Sequence, residues 1–200
     1  MSLDGFVCGP NGEMDWMVGE WDNTITDYAV ELTNSADTFL MGRQAGEGMA
    51  MYWPTVASNP ESKDIEKWLA DKINRLPKIV FSKTVISVNW TNTRVANDIV
   101  EEIKELKREP GKDIIVYGGA QTATYFIREN LVDEYHLFVN PVIIGKGKSI
   151  FSVADELNLK LIDTTSGASG IVILYYVSRA KIRKDKFEFD HNSTMLNLKS

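Results

Sequence analysis

Residues 113 to 122, Asp-Ile-Ile-Val-Tyr-Gly-Gly-Ala-Gln-Thr, carry an apolar run into a glycine pair where a helical pattern begins. Ile114, Ile115 and Val116 read as a short buried strand, and Ala123, Phe126, Ile127 and Leu131 recur at helical spacing on one face. Gly118 and Gly119 stand between the two. Without a Cβ, glycine lets backbone N–H groups come close to a ligand, and the free amides of a helix's first turn add partial positive charge there. A nucleotide diphosphate suits such a turn. An isolated Gly-Gly pair serves equally well as a tight strand-to-helix turn, so the rest of the chain has to decide.

Upstream, strand-like and helix-like runs alternate, which is the pattern of an α/β domain. Asp22 to Ala36 places Ile25, Tyr28, Ala29, Leu32 and Ala36 on one helical face, ahead of a short apolar strand from Thr38 to Met41. The spacing predicts a helix over Glu61 to Leu76, stopped by Pro77 before a strand from Lys78 to Ser82. Asn97 or Asp98 caps a further helix with Ile99, Ile103 and Leu106 inward, and Pro110-Gly111 ends it. From Glu134 the chain is β-rich. Leu157 to Asp163 and Ile171 to Val177 form an antiparallel hairpin expected to lengthen the mainly parallel sheet at one edge. Residues 1–180 make one domain, and 181–200 read as a polar tail.

Composition excludes several functions. At 200 residues, 44% hydrophobic and 25% charged, the chain is long enough for one substantial core. A net charge of -6 with scattered basic residues leaves no footprint for nucleic acid. No run approaches the roughly 20 apolar residues of a membrane span. Cys8 is the only cysteine, so neither an internal disulfide nor a cysteine zinc cluster can form, and the chain is read as cytoplasmic. His136 alternates with strand residues and His191 lies in the tail, so no metal site is expected.

Two more strand ends carry anion chemistry. Phe39-Leu40-Met41-Gly42-Arg43 puts a flexible backbone and a guanidinium at a strand's carboxyl end, where open α/β sheets bind ligands. Ile79 to Thr84 ends likewise in Ser82, Lys83 and Thr84, two hydroxyls and an ammonium suited to a phosphate monoester. Singly, Arg43 could pair with a surface carboxylate and Ser-Lys-Thr could be a solvated turn. Three such endings in one small sheet favour a ligand.

With Ser2-Leu3-Asp4-Gly5, Met41-Gly42-Arg43, Pro77 to Thr84, Val116 to Ala120, Leu131 to Glu134 and Asn140 to Gly145 in this order, the chain resembles the dihydrofolate-reductase-like family. The branch is that of the reductase domain of bifunctional riboflavin-biosynthesis enzymes, and the resemblance covers about residues 2 to 177. It implies a three-layer fold, a central mostly parallel sheet with flanking helices and a C-terminal antiparallel hairpin, that binds NADPH along the strands' carboxyl ends. On that resemblance Gly42 and Arg43 lie beside the cofactor phosphates, and Ser82, Lys83 and Thr84 meet the 2′-phosphate. Gly118, Gly119, Ala120, Gln121 and Thr122 hold the pyrophosphate, and Val7 lies near the nicotinamide. The activity implied is hydride transfer to a small heterocycle, similar to 5-amino-6-(5-phosphoribosylamino)uracil reductase. The alternatives are a non-catalytic module that kept the NADPH cradle, and a dihydrofolate or pteridine reductase.

The family's catalytic carboxylate sits on the helix before the Gly-Arg strand, which points to Asp27, itself equally readable as a solvated helix residue. Asp4, Trp16 and Trp53 are candidates for the substrate pocket, although tryptophan more often packs in a core. The chain departs from the pattern in three ways. Gln44-Ala45-Gly46 lacks the usual threonine, a hydroxyl donor to the cofactor; the apolar strand expected ahead of Ser2 is incomplete; and the zinc-deaminase motifs that accompany this reductase are absent. An incomplete central strand leaves neighbouring backbone groups unpaired. A homodimer is expected from the exposed-edge potential of Leu157 to Val177.

Overall fold

The computed structural model describes residues 1–85, 87–152 and 156–179. The tail from 181, with His191, lies outside the described residues. The elements run α1 (Asn23–Ser35), β1 (Ala36–Gly42), α2 (Arg43–Ser58), α3 (Asp64–Arg75), β2 (Lys78–Phe81), β3 (Thr93–Ala96), α4 (Ile99–Leu106), β4 (Asp113–Val116), α5 (Ala120–Arg128), β5 (Glu134–Val139), β6 (Leu159–Ser166) and β7 (Val172–Ser178). No described helix is long and apolar enough to cross a membrane.

Four parallel strands form the central sheet in the order β3-β2-β1-β4. Both faces are covered, which explains why its strands read as unbroken apolar runs. Phe39, Met41 and Val80 point to one face, where Ile73 of α3 and Ala45, Met49 and Trp53 of α2 pack. Leu40, Ile79 and Phe81 point to the other, against Ile103 of α4 and Phe126 of α5. The period-2 alternation of these side chains is what builds three layers from short strands.

Lys78, the first residue of β2, is 1% exposed. Its ammonium donates to the carbonyls of Ile73, Asn74 and Leu76 at 2.9, 2.9 and 2.6 Å and lies 4.6 Å from the Trp90 ring centroid. Burial pushes its pKa down to about 8. The three carbonyls, orphans at the C-terminus of α3, act in the opposite direction and favour the charged form. A lysine that looks like a solvated strand start therefore caps a helix from inside the core.

The C-terminal hairpin departs from expectation. It does not lengthen the parallel sheet. Instead β5, β7 and β6 make a separate antiparallel sheet in that order. Among the described residues no strand pairs the outer edge of β4 with β5. The first residues lie along β5: the Met1 nitrogen donates to Phe138 O at 2.5 Å, Asn140 N to Met1 O at 2.8 Å, and Leu3 N to Val142 O at 2.7 Å. Asn140, 1% exposed, reinforces this seam by accepting from Val18 N through its side-chain oxygen at 3.1 Å.

The second sheet packs on α1 through Ile25, Ile171, Ile173, Tyr28 and Phe138. Asp22 fastens the same junction. Its carboxylate caps α1 by accepting from Ile25 N at 3.3 Å, and also accepts from the Ser169 amide and hydroxyl at 2.9 and 2.7 Å. These bonds, those of Ser169 first, lower the Asp22 pKa from 3.8 to about 2. A carboxyl whose pKa is depressed in the folded state contributes stability above its unfolded pKa and loses it as pH falls through the folded value. Asp22→Asn should therefore melt below the parent at about pH 6, and the gap should close as pH falls toward about 2. Thermal melts across that range check it; a gap independent of pH contradicts the assignment.

Candidate functional site

The register of the central sheet places three strand ends side by side. Gly42 pairs with Phe81 and Leu40 with Val116, so Arg43, Ser82 and Tyr117-Gly118 continue from adjacent strands at one edge. The chain moves outward from β1 to β2 and β3, then returns to the opposite side of β1 as β4. The crevice beyond the ends of β1 and β4 is thus the point where strand order reverses, the usual ligand position in open α/β sheets.

Two helices begin in that crevice. Gly42 precedes α2 and Gly119 precedes α5, and the Gly42 amide donates to Gly118 O at 3.4 Å. A Cβ on Gly42 would collide with the Thr122 hydroxyl. One on Gly119 would lie 3.5 Å from the Gly42 nitrogen, and one on Gly118 3.3 Å from Met49 Cε. Gly119 also has φ 91°, where any other L-residue is strained.

The way the helices are capped separates these two from the others. Asp22 caps α1, Asp98 caps α4 by accepting from Glu101 N at 3.1 Å, and Glu66 of α3 accepts from Lys63 N at 2.8 Å. By contrast α2 and α5 start on glycine with no side-chain cap, and neither has an acidic residue in its first turn. Their first-turn amides, with the positive ends of two helix dipoles, begin side by side at one edge of the sheet, the chemistry that suits an anion.

The remaining phosphate candidates border this edge. The Ser82 hydroxyl accepts from the amides of Thr84 and Val85, both at 3.1 Å, so it orders the loop, while the side chains of Lys83 and Thr84 are exposed. Arg43 pairs with Glu47 at 2.9 Å. Ala120 and Gln121 open α5, and Thr122 sets its hydroxyl beside Gly42. Ala45 stands where the family threonine would, and Gly46 after it is held small by packing. A Cβ on Gly46 would lie 2.7 Å from Val80, so small residues there let α2 seat on the sheet.

The other candidates are dispersed. Val7 N donates to Lys148 O at 2.9 Å, fixing the loop that carries it. Asp4 is exposed and its carboxylate accepts from the amides of Ile144 and Gly145 at 3.2 and 2.8 Å. The Ser2 hydroxyl, then these amides, hold its pKa below the ordinary carboxylate value. Trp16 donates its indole N–H to Glu13 O at 3.1 Å on an outer loop. Trp53 packs into the core face beneath α2, with its buried N–H lacking a partner among the described residues. It is tilted against Tyr117, whose phenol burial pushes up to about 12. Asp27 is exposed on α1, with no side-chain hydrogen bond or ion pair among the described residues, whereas its neighbour Tyr28 points inward.

Tyr28 reveals a cluster that sequence reasoning passed over. Its hydroxyl is 2.7 Å from His136 Nδ1, the His136 ring stacks on Tyr175 at 4.4 Å, and the Tyr175 hydroxyl donates to Glu134 at 2.9 Å. His136 first, then Tyr175, lower the Glu134 pKa. The available signal was the alternation that puts Glu134, His136 and Phe138 on one face of β5. No group of three His, Cys, Asp or Glu among the described residues could hold a metal.

Two glycine substitutions distinguish a required conformation from a tolerated one. Gly119→Ala should cost about 1–3 kcal/mol because φ is positive there. Gly48→Ala, inside α2 with open space around its Cβ, should stabilise by about 0.5–1 kcal/mol. Urea denaturation of both variants is the check, and equal effects would contradict the geometry.

Comparison with known proteins points one way. The model of the RibD C-terminal domain family matches residues 1–173. The Bacillus subtilis (strain 168) protein YyaP is 38% identical over 177 residues, 88% of this chain and 90% of that protein. Riboflavin biosynthesis protein RibD of Corynebacterium ammoniagenes is 25% identical over 171 residues, 85% of this chain but 48% of its own length. In structure, a putative riboflavin biosynthesis protein from Shewanella sp. PV-4 superposes with a TM-score of 0.69 at 20% identity, covering 90% of this chain and 95% of its own.

Proposed function

Because the chain belongs to the RibD C-terminal domain family, we propose that it is an NADPH-dependent reductase of a small heterocycle, with a uracil bearing a ribosylamino group as the first substrate to try. The observation that carries this reading is the convergence of the two uncapped helix starts at the strand-order reversal. Their free amides fit a pyrophosphate, and the absence of a Cβ at Gly42, Gly118 and Gly119 lets the two helix starts pack against each other. Arg43 supplies a guanidinium beside them, and Lys83 with Thr84 offers an ammonium and a hydroxyl for the 2′-phosphate at the neighbouring strand end.

When bound, NADPH supplies the hydride. The chain's own work is to bind and orient it. The loop through Val7, proposed to lie near the nicotinamide, is anchored to Lys148, and the Asp4 carboxylate at the start of the same loop is braced by the amides of residues 144–145, so this loop is ordered in advance. Asp27 would have to turn inward to supply a proton. Its exposure favours the second reading, a nucleotide-binding module without chemistry. Following NADPH oxidation with 5-amino-6-(5-phosphoribosylamino)uracil separates the two.

Binding alone is tested more simply. NADPH at about 100 times its Kd should add roughly 2.7 kcal/mol of stability and raise the melting temperature, and an unchanged melt counts against the cradle.

Lys83→Ala should weaken NADPH about tenfold while leaving NADH nearly unaffected, since a charged hydrogen bond contributes about 1.5–3 kcal/mol. Equal losses for both dinucleotides in a titration would place the 2′-phosphate elsewhere.

A further inference from the structure

Arg43 opens α2 at the convergent helix starts, yet its guanidinium is already engaged. Its Nη1 donates to Glu47 Oε2 at 2.9 Å, one turn further along, and both side chains are about two-fifths exposed (41% and 43%). The order of the two residues is the unfavourable one. On a helix, an acidic residue stabilises best when it precedes its basic partner, because it then lies nearer the positive end of the dipole. Here the acid follows. Helix stability therefore gives little reason for the pair, while its position gives a functional one. With no acidic residue in the first turn of α2, Glu47 is the first carboxylate the chain offers to the free amides and to Arg43.

We infer that Glu47 is an affinity-setting residue that competes with the cofactor's pyrophosphate for Arg43. This rests on the dinucleotide reading above. In the free chain Glu47 holds the guanidinium; on binding, Arg43 exchanges the carboxylate for a phosphate oxygen. The released carboxylate has somewhere to go. Glu47 borders a cavity of about 320 Å³ that also includes Ser87 and Asn89, whose hydroxyl and amide can donate to it. Glu47 thus lowers affinity for any anion at the helix starts.

Isothermal titration with NADPH and NADH tests the exchange on the parent, Glu47→Gln, Arg43→Ala and the double variant, each checked for folding by circular dichroism. Glu47→Gln should tighten NADPH and NADH alike, by about three- to tenfold at low ionic strength, because it removes both the competing pair and the repulsion left behind at the pyrophosphate the two share. The gain should shrink as salt is added and should be smaller in the Arg43→Ala background, where there is no pair to release. A folded Glu47→Gln that binds NADPH as the parent does, or more weakly, overturns the inference and leaves the cofactor reading standing. A gain undiminished in the Arg43→Ala background also overturns it. No NADPH binding by any of the four chains overturns both.

Discussion

The backbone contact at the crevice, where the Gly42 amide donates to Gly118 O at 3.4 Å just beyond the Tyr117 N to Leu40 O bond at 2.8 Å, is the constraint on which the rest of this molecule turns. It brings the ends of β1 and β4 together so tightly that side chains are excluded from both turns. Two consequences follow. The helices after those turns begin on glycine without a side-chain cap, unlike α1, α3 and α4. The helices must also sit close to the sheet, which accounts for Gly46 against Val80 and for Ala45 beside Gly118. Small residues around the crevice are thus a single solution to one packing demand, and the electropositive edge results from it.

Much of this was legible because the signals were local. The strand–Gly-Gly–helix run, the stop at Pro77 and the cap at Asp98 each depend on a few neighbouring residues, and all three elements form as read. The helix α2 was not legible. Gly42, Gly46, Gly48 and Pro54 suppress helix propensity, and only contact with the sheet shows that Ala45, Met49 and Trp53 share one face. Nor was β3 legible, since Thr-Arg-Val-Ala at a sheet edge has a single inward-facing large apolar residue, Val95.

Orientation was harder to read than existence. Asp27 and Tyr28 lie on the same helix one residue apart, a rotation of about 100°, and only the packing of α1 on the second sheet decides that Tyr28 faces His136 while Asp27 faces solvent. The grouping of β5, β6 and β7 into their own sheet is equally a matter of long-range pairing. Their alternation predicts strands without saying which edge they join. Lys78 makes the same point in the core, where three carbonyls from α3 satisfy an ammonium that sequence alone would leave in water.

The central claim is that the uncapped starts of α2 and α5 together receive a dinucleotide's phosphates. Backbone amide shifts during an NMR titration with NADPH test it most directly, because they report on the amides themselves. The account predicts that the largest changes fall on residues 43–45 and 119–122, with smaller ones at 82–84. Saturable binding that leaves both helix starts unperturbed would contradict it.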